Sequence, residues 1–183
     1  MMVVMASIKS MIKSMVYDLI DHESAILEQE LPLFNFGNPP VDPLELAKNL
    51  LDTLRHHKGI GISANQVGLP YRVFVMEGDP PFACFNPKII DVSEEVISLA
   101  EGCLSYPGVV APIKRPGHVR VRFTDPGGNT MTRKFTGMTA RIFLHEYDHL
   151  QGVSFLKKMH PAHKDKALRQ LKKYTRYLKN QQR

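Results

Sequence analysis

The stretch Phe143-Leu144-His145-Glu146-Tyr147-Asp148-His149-Leu150 limits what this chain can become more than any other. It contains His-Glu-x-x-His, two histidines four residues apart with a glutamate directly after the first. On an α-helix, positions i and i+4 lie on one face about one turn apart, so both imidazoles can reach a single metal ion. Glu146 then sits beside the first ligand, and its carboxylate can reach a water on that ion without binding the ion itself. Met138, Ile142, His145 and His149 are spaced 4-3-4 along one stripe. The two apolar members predict that this stripe faces the interior. Two histidines on a buried face need a partner, and a metal accepts both. Gly152 is the expected C-cap of this helix.

Two protein ligands fall short of a catalytic site, which usually takes three and leaves one position for water. Cys103 competes for the third place, with a glycine before it and a turn after it in Glu101-Gly102-Cys103-Leu104-Ser105-Tyr106-Pro107-Gly108. Asp148, Glu101 and His118 are the other candidates, and residue type alone does not choose among the four. Cys84 reads instead as a small buried hydrophobe. Two cysteines make no disulfide framework, and a reducing, cytoplasmic setting is expected. No apolar run reaches the ~18–20 residues that span a bilayer, so no membrane role is expected.

Ahead of the histidine helix the chain alternates turn signals with short strands. Apolar residues at helical spacing from Val4 to Leu19 predict a surface helix over residues 1–20. A Pro-rich approach ends at Asp42, the expected N-cap of a helix with Pro43 first and Glu45 third, a capping-box pattern. Leu46, Leu50, Leu51 and Leu54 predict its buried stripe, and Gly59 its end. His56 and His57 suit the negative end of that helix. The small-residue loop Gly59-Ile60-Gly61-Ile62-Ser63-Ala64-Asn65-Gln66 lacks the lysine and spacing of a phosphate loop. Tyr71–Met76, Phe82–Ile90 with a break near Pro87, and Val96–Leu99 read as strands. Val119, Val121 and Phe123 alternate with arginines, and Thr130–Phe135 returns antiparallel after Asp125-Pro126-Gly127-Gly128-Asn129.

Three segments together, Gly59 to Gln66, Glu101 to Ser105 and His145 to His149, resemble the peptide deformylase family, over roughly Met15 to Lys157. The resemblance implies an α+β fold, with mostly antiparallel sheets packed around a central metal-binding helix. It implies a metal-dependent hydrolase that removes the N-formyl group from the initiator methionine of nascent polypeptides and releases formate. Cys103, His145 and His149 would hold one divalent metal, iron(II) being the family's usual ion, although zinc, nickel or cobalt can take the same site. Glu146 would act as general base and then acid, and Gln66 with the Leu104 N–H would face the developing oxyanion. Gly61 would let the peptide backbone approach, and Ile60, Leu99, Met138 and Ile142 would surround the substrate methionine. The chain departs from the family pattern at Ser63, where alanine is usual, and at Val110, where many members place an arginine.

Charge divides the chain further. Of a net charge of +6, the segment from Leu156 to Arg183 carries ten Lys and Arg against one Asp, leaving the remainder slightly acidic. Residues 1–160 are expected to form the catalytic domain and residues 161–183 a basic C-terminal helix. Ala167, Leu171, Tyr174 and Leu178 would form its packed face. Such a tail suits an anionic partner, nucleic acid or a ribonucleoprotein first among them, and the family resemblance makes the ribosome the expected one. A metalloprotease of the His-Glu-x-x-His type would instead draw a third ligand from downstream, at His160 or His163, and a vestigial fold would bind RNA without needing Glu146.

Overall fold

Val73-Phe74-Val75-Met76, the strand β2 (Val73–Met76), is buried along its whole length, and the molecule is layered around it. The computed structural model describes residues 15–181. Beside β2 lie β1 (Gly61–Ser63) and β3 (Phe82–Val92), and the antiparallel sheet continues through β6 (His118–Thr124) to β7 (Thr130–Thr136) in the order β1-β2-β3-β6-β7. A separate two-stranded sheet pairs β4 (Val96–Gly102) with β5 (Val110–Pro116). Because side chains alternate across a strand, Val73 and Val75 pack on one face of the large sheet, while Phe74 and Met76 pack on the other.

The first face is covered by α1 (Pro43–His56). Asp42 caps it, its carboxylate accepting the Glu45 N–H at 2.8 Å, with Pro43 at the first position, where no N–H is missed. Leu46, Leu50 and Leu54 are fully buried against Ile62, Val73 and Phe85, while Leu51 is half-buried. The chain leaves the helix one residue earlier than the sequence suggests. His57 is the C-cap and Lys58 takes the left-handed conformation, with φ 56°, ahead of Gly59.

The helix expected over residues 1–20 does not form between Met15 and Ile20; residues 1–14 lie outside the described part. The segment runs extended along α1, where the Met15 N–H donates to Asn49 Oδ1 at 3.1 Å and the Tyr17 N–H to Thr53 Oγ1 at 2.9 Å. Buried side chains of α1 thus satisfy backbone donors that a helix would have paired internally.

The break expected near Pro87 is a register shift between Phe85 and Lys88, with Asn86 at φ 51°, and β3 resumes to Val92. Pro87 has no N–H for the ladder. Asn86 compensates by pairing through its side chain with both backbone groups of Phe34, at 2.7 and 2.8 Å.

The second face of the sheet carries α2 (Gly137–Leu150), whose Ala140, Phe143, Leu144 and Leu150 fill the core with Phe74, Val119, Val121 and Phe135. The expectation that Met138 points inward is corrected here: Met138 is 55% exposed. Its stripe faces a cavity, and the adjacent stripe of α2 faces the core. Gln151 caps α2, and Gly152 follows in the left-handed region. A short turn of helix, α3 (Phe155–Lys158), precedes α4 (Pro161–Gln181). Ala167 and Leu171 of α4 are buried against Tyr106, Val109, Ile113 and Phe155, whereas the side chain of Leu178 lies outside the described residues. The architecture is α+β, mixed helix with antiparallel sheet, as expected. Among the described residues, no helix is long and apolar enough to cross a membrane.

Candidate metal centre

His145 and His149 project from α2 toward Cys103, which follows β4 directly, and the three candidate ligand atoms lie within 4.8 Å of one another. Cys103 Sγ is 3.2 Å from His149 Nε2. A tetrahedral ion with metal–sulfur and metal–nitrogen distances of about 2.3 and 2.0 Å separates its ligands by roughly 3.3–3.6 Å. The donor set and its spacing therefore fit one divalent ion.

Of the other candidates for third ligand, Glu101 stands behind the site. Its Oε2 accepts from His145 Nδ1 at 3.0 Å, which turns the ring's Nε2 toward the other ligands. The same carboxylate takes Arg115 through Nε and Nη2 at 2.7 and 2.9 Å, and Arg141 Nη1 at 2.6 Å. Asp148 is bound to Arg115 at 2.7 Å and to Lys158 at 3.3 Å, while His118 sits on β6 near Asp91.

The electrostatics follow from this packing. Burial pushes the Glu101 carboxyl up, but His145 and Arg115 outweigh it and hold it down at about 2. Burial likewise raises the Cys103 thiol, yet His149 and His145 bring it down to about 5. His145 is lowered by burial and raised more strongly by Cys103 and Glu101, to about 10. The neighbouring imidazoles thus favour the thiolate, the form a metal requires.

Glu146 is buried, and that burial raises its carboxyl above the usual range despite the neighbouring histidines. Its Oε2 accepts from Ser63 Oγ at 2.8 Å. Gly61 on β1 passes so close that a Cβ there would lie 2.5 Å from Glu146 Oε1 and 2.9 Å from Ile142 Cγ2. Gln66 is held at both ends. Its Oε1 accepts the Ser63 N–H at 2.9 Å, which leaves Nε2 to donate toward Ser105 Oγ at 3.0 Å and Cys103 Sγ at 3.6 Å. Asn65 donates to the His149 carbonyl at 2.8 Å, tying the same loop to the end of α2.

A cavity of about 710 Å³ opens on these groups, lined by Gln66, Cys103, Leu104, His145 and Glu146. Gly61, Ile60, Met138 and Ile142 also line it. Leu99 does not: it lies 43% exposed on β4, and the lining begins at its neighbour Ala100. Tyr174, read from sequence only as a packed helix residue, lines the cavity as well. Nothing local marks it, because its place depends on how α4 packs.

A family model described as Polypeptide deformylase matches residues 16–165. The chain belongs to the polypeptide deformylase family. A curated peptide deformylase of Thermotoga neapolitana is 39% identical over 116 residues, 63% of this chain and 71% of the relative. The crystal structure of peptide deformylase from Ehrlichia chaffeensis matches with a TM-score of 0.80 at 31% identity, covering 88% of this chain and 98% of that one. That of Thermotoga maritima matches with a TM-score of 0.75 at 29% identity, covering 80% and 99%. Peptide deformylases are metal-dependent enzymes that remove the N-formyl group from nascent peptides, and the Cys103, His145, His149 cluster is this chain's candidate metal site.

Proposed function

We propose that this chain hydrolyses the N-formyl group of the initiator methionine on nascent polypeptides, with Cys103, His145 and His149 holding one divalent metal. The observation that carries the reading is the convergence of those three donors with Glu146 and Gln66 on one cavity, in a chain of this family. A bound ion supplies Lewis acidity, which acidifies water and polarises a carbonyl. Glu146 takes the proton from the attacking water and delivers it to the leaving amine; a carboxyl raised by burial suits both transfers. Gln66 Nε2, fixed by the Ser63 N–H on its oxygen side, gives up its long contact with Cys103 Sγ to donate to the formyl oxygen as charge develops there, with the Leu104 N–H as second donor. Gly61, Ile60, Met138 and Ile142 receive the methionine and the adjoining backbone. Iron(II) is the ion we infer, with zinc, nickel and cobalt compatible with the same donors.

Formate release from N-formyl-Met-Ala-Ser, by protein purified anaerobically and loaded with iron or nickel, tests the reaction. Activity in the parent and its loss in Glu146→Ala are expected. A folded, metal-loaded parent that releases no formate overturns the reading.

We infer that the reaction takes place in the cytoplasm, at the ribosome. Lys164, Lys166, Arg169, Lys172, Lys173 and Arg176 are exposed on α4 and suit the RNA there. Reversing Lys172, Lys173 and Arg176 to Glu is expected to weaken co-sedimentation with ribosomes and to flatten its salt dependence. Unchanged co-sedimentation would remove the ribosome from the proposal.

A further inference from the structure

The C-terminal helix α4 does more than carry charge, because one of its side chains reaches the catalytic cavity. Tyr174 lies three residues after Leu171 and seven after Ala167, on the face those buried residues define. Their burial against Tyr106, Val109 and Phe155 fixes the helix on the loop that follows Cys103. The Tyr174 ring rests on Gly108 of that loop, so closely that a Cβ on Gly108 would lie 3.0 Å from two ring carbons. Gly108 has φ 76°, so the loop turns there in a conformation that other residues rarely adopt, and it presents bare backbone to the ring.

Tyr174 lines the cavity together with Tyr106 and Val110. Tyr174 is 38% exposed and Val110 64%, whereas His145, Glu146 and Gln66 are buried, which puts the aromatic ring at the mouth and the chemistry at the floor. A formyl group that reaches the floor leaves the first side chain in the inner cavity and later residues at the mouth. Val110 lines the same cavity as Tyr174, so the wall at the mouth carries an apolar side chain beside the aromatic ring.

Building on the deformylase reading, we infer that Tyr174 is a specificity residue: it packs against a side chain downstream of the formylated methionine and favours peptides with an aromatic or bulky apolar residue there. An aromatic contact of this kind changes a dissociation constant by about threefold to tenfold.

The chain contains no tryptophan, so a tryptophan in the peptide reports its own binding. Full-length, nickel-loaded Glu146→Gln protein, chosen to prevent turnover, is titrated with N-formyl-Met-Ala-Trp by indole emission. N-formyl-Met-Ala-Ser is then measured by displacement. The tryptophan peptide is expected to bind more tightly. Tyr174→Ala is expected to erase that difference by weakening the tryptophan peptide about threefold to tenfold, with the serine peptide unchanged. Tyr174→Phe should keep the preference and serves as the control for helix packing. Equal weakening of both peptides in Tyr174→Ala would assign the ring to holding the loop and overturn the inference, as would no change in either. Formate release by protein with Glu146 intact is measured in parallel. Indole binding with the expected preference but no formate would sink the deformylase reading and leave the Tyr174 wall standing.

Discussion

Gly61 shows how much a single missing atom decides. The carboxylate of Glu146 occupies the space that a Cβ at position 61 would take, and Ser63 on the same short strand donates to its other oxygen. The strand therefore acts as a template for the carboxylate, through absence at one residue and a hydroxyl at the next but one. Gly61→Ala must push Glu146 or Ile142 aside, and misplacement of a reacting group by about 1 Å costs on the order of a hundredfold in rate. We expect kcat for formate release to fall by about tenfold to a hundredfold, with metal content retained; unchanged kcat would show that Glu146 adjusts freely. The small-residue character of this loop was visible in the sequence, but the atom it makes room for was not. Gly61 and Glu146 are far apart in the chain and meet only through the packing of β1 on α2.

Each helix presents a different division between local and tertiary causes. The start of α1 is written in consecutive residues, since Asp42, Pro43 and Glu45 satisfy and shape the first turn without help from elsewhere. Asp42→Ala is expected to lower unfolding free energy by about 1 kcal/mol in chemical denaturation, without altering activity. A loss well outside that range would mean the cap has a further partner. The end of the same helix was harder to place, because Lys58 bears the left-handed turn beside a glycine that would have taken it more readily. In α2 the period was legible and the facing was not. Phe143 and Leu144 bury against the sheet while Met138 and Ile142 border the cavity, and both stripes are apolar. A cavity built to receive an apolar side chain selects the same residues as a core does.

At the scale of the molecule, Glu101 joins parts that no sequence window contains. From the end of β4 it binds Arg115 of β5 and both Arg141 and His145 of α2, so the small sheet is fastened to the metal helix through one carboxylate. Glu101→Gln keeps the shape and removes the charge. Metal affinity is expected to fall by about tenfold to a hundredfold in chelator competition, because the His145 ring loses its anionic partner. Melting temperature should fall as well, since Arg115 keeps Asp148 while Arg141 keeps only carbonyl acceptors. Unchanged metal affinity would confine Glu101 to a structural part.

By themselves, the residues in order determined strands β2, β3, β6 and β7, the start of α1 and the histidine pair, because each depends on period, turn chemistry or short spacing. Strands β1 and β5 lay outside the strands so read, and the α+β class came with the motif resemblance. Motif resemblance supplied the rest of the candidate ligand set. The tertiary structure alone decided that Glu101 stands behind His145, that Ala100 rather than Leu99 lines the cavity, and that Tyr174 reaches the mouth from α4. Local patterns report which side chains avoid water. Which of them avoid it against a core and which against a substrate is set by contacts between residues remote in the chain.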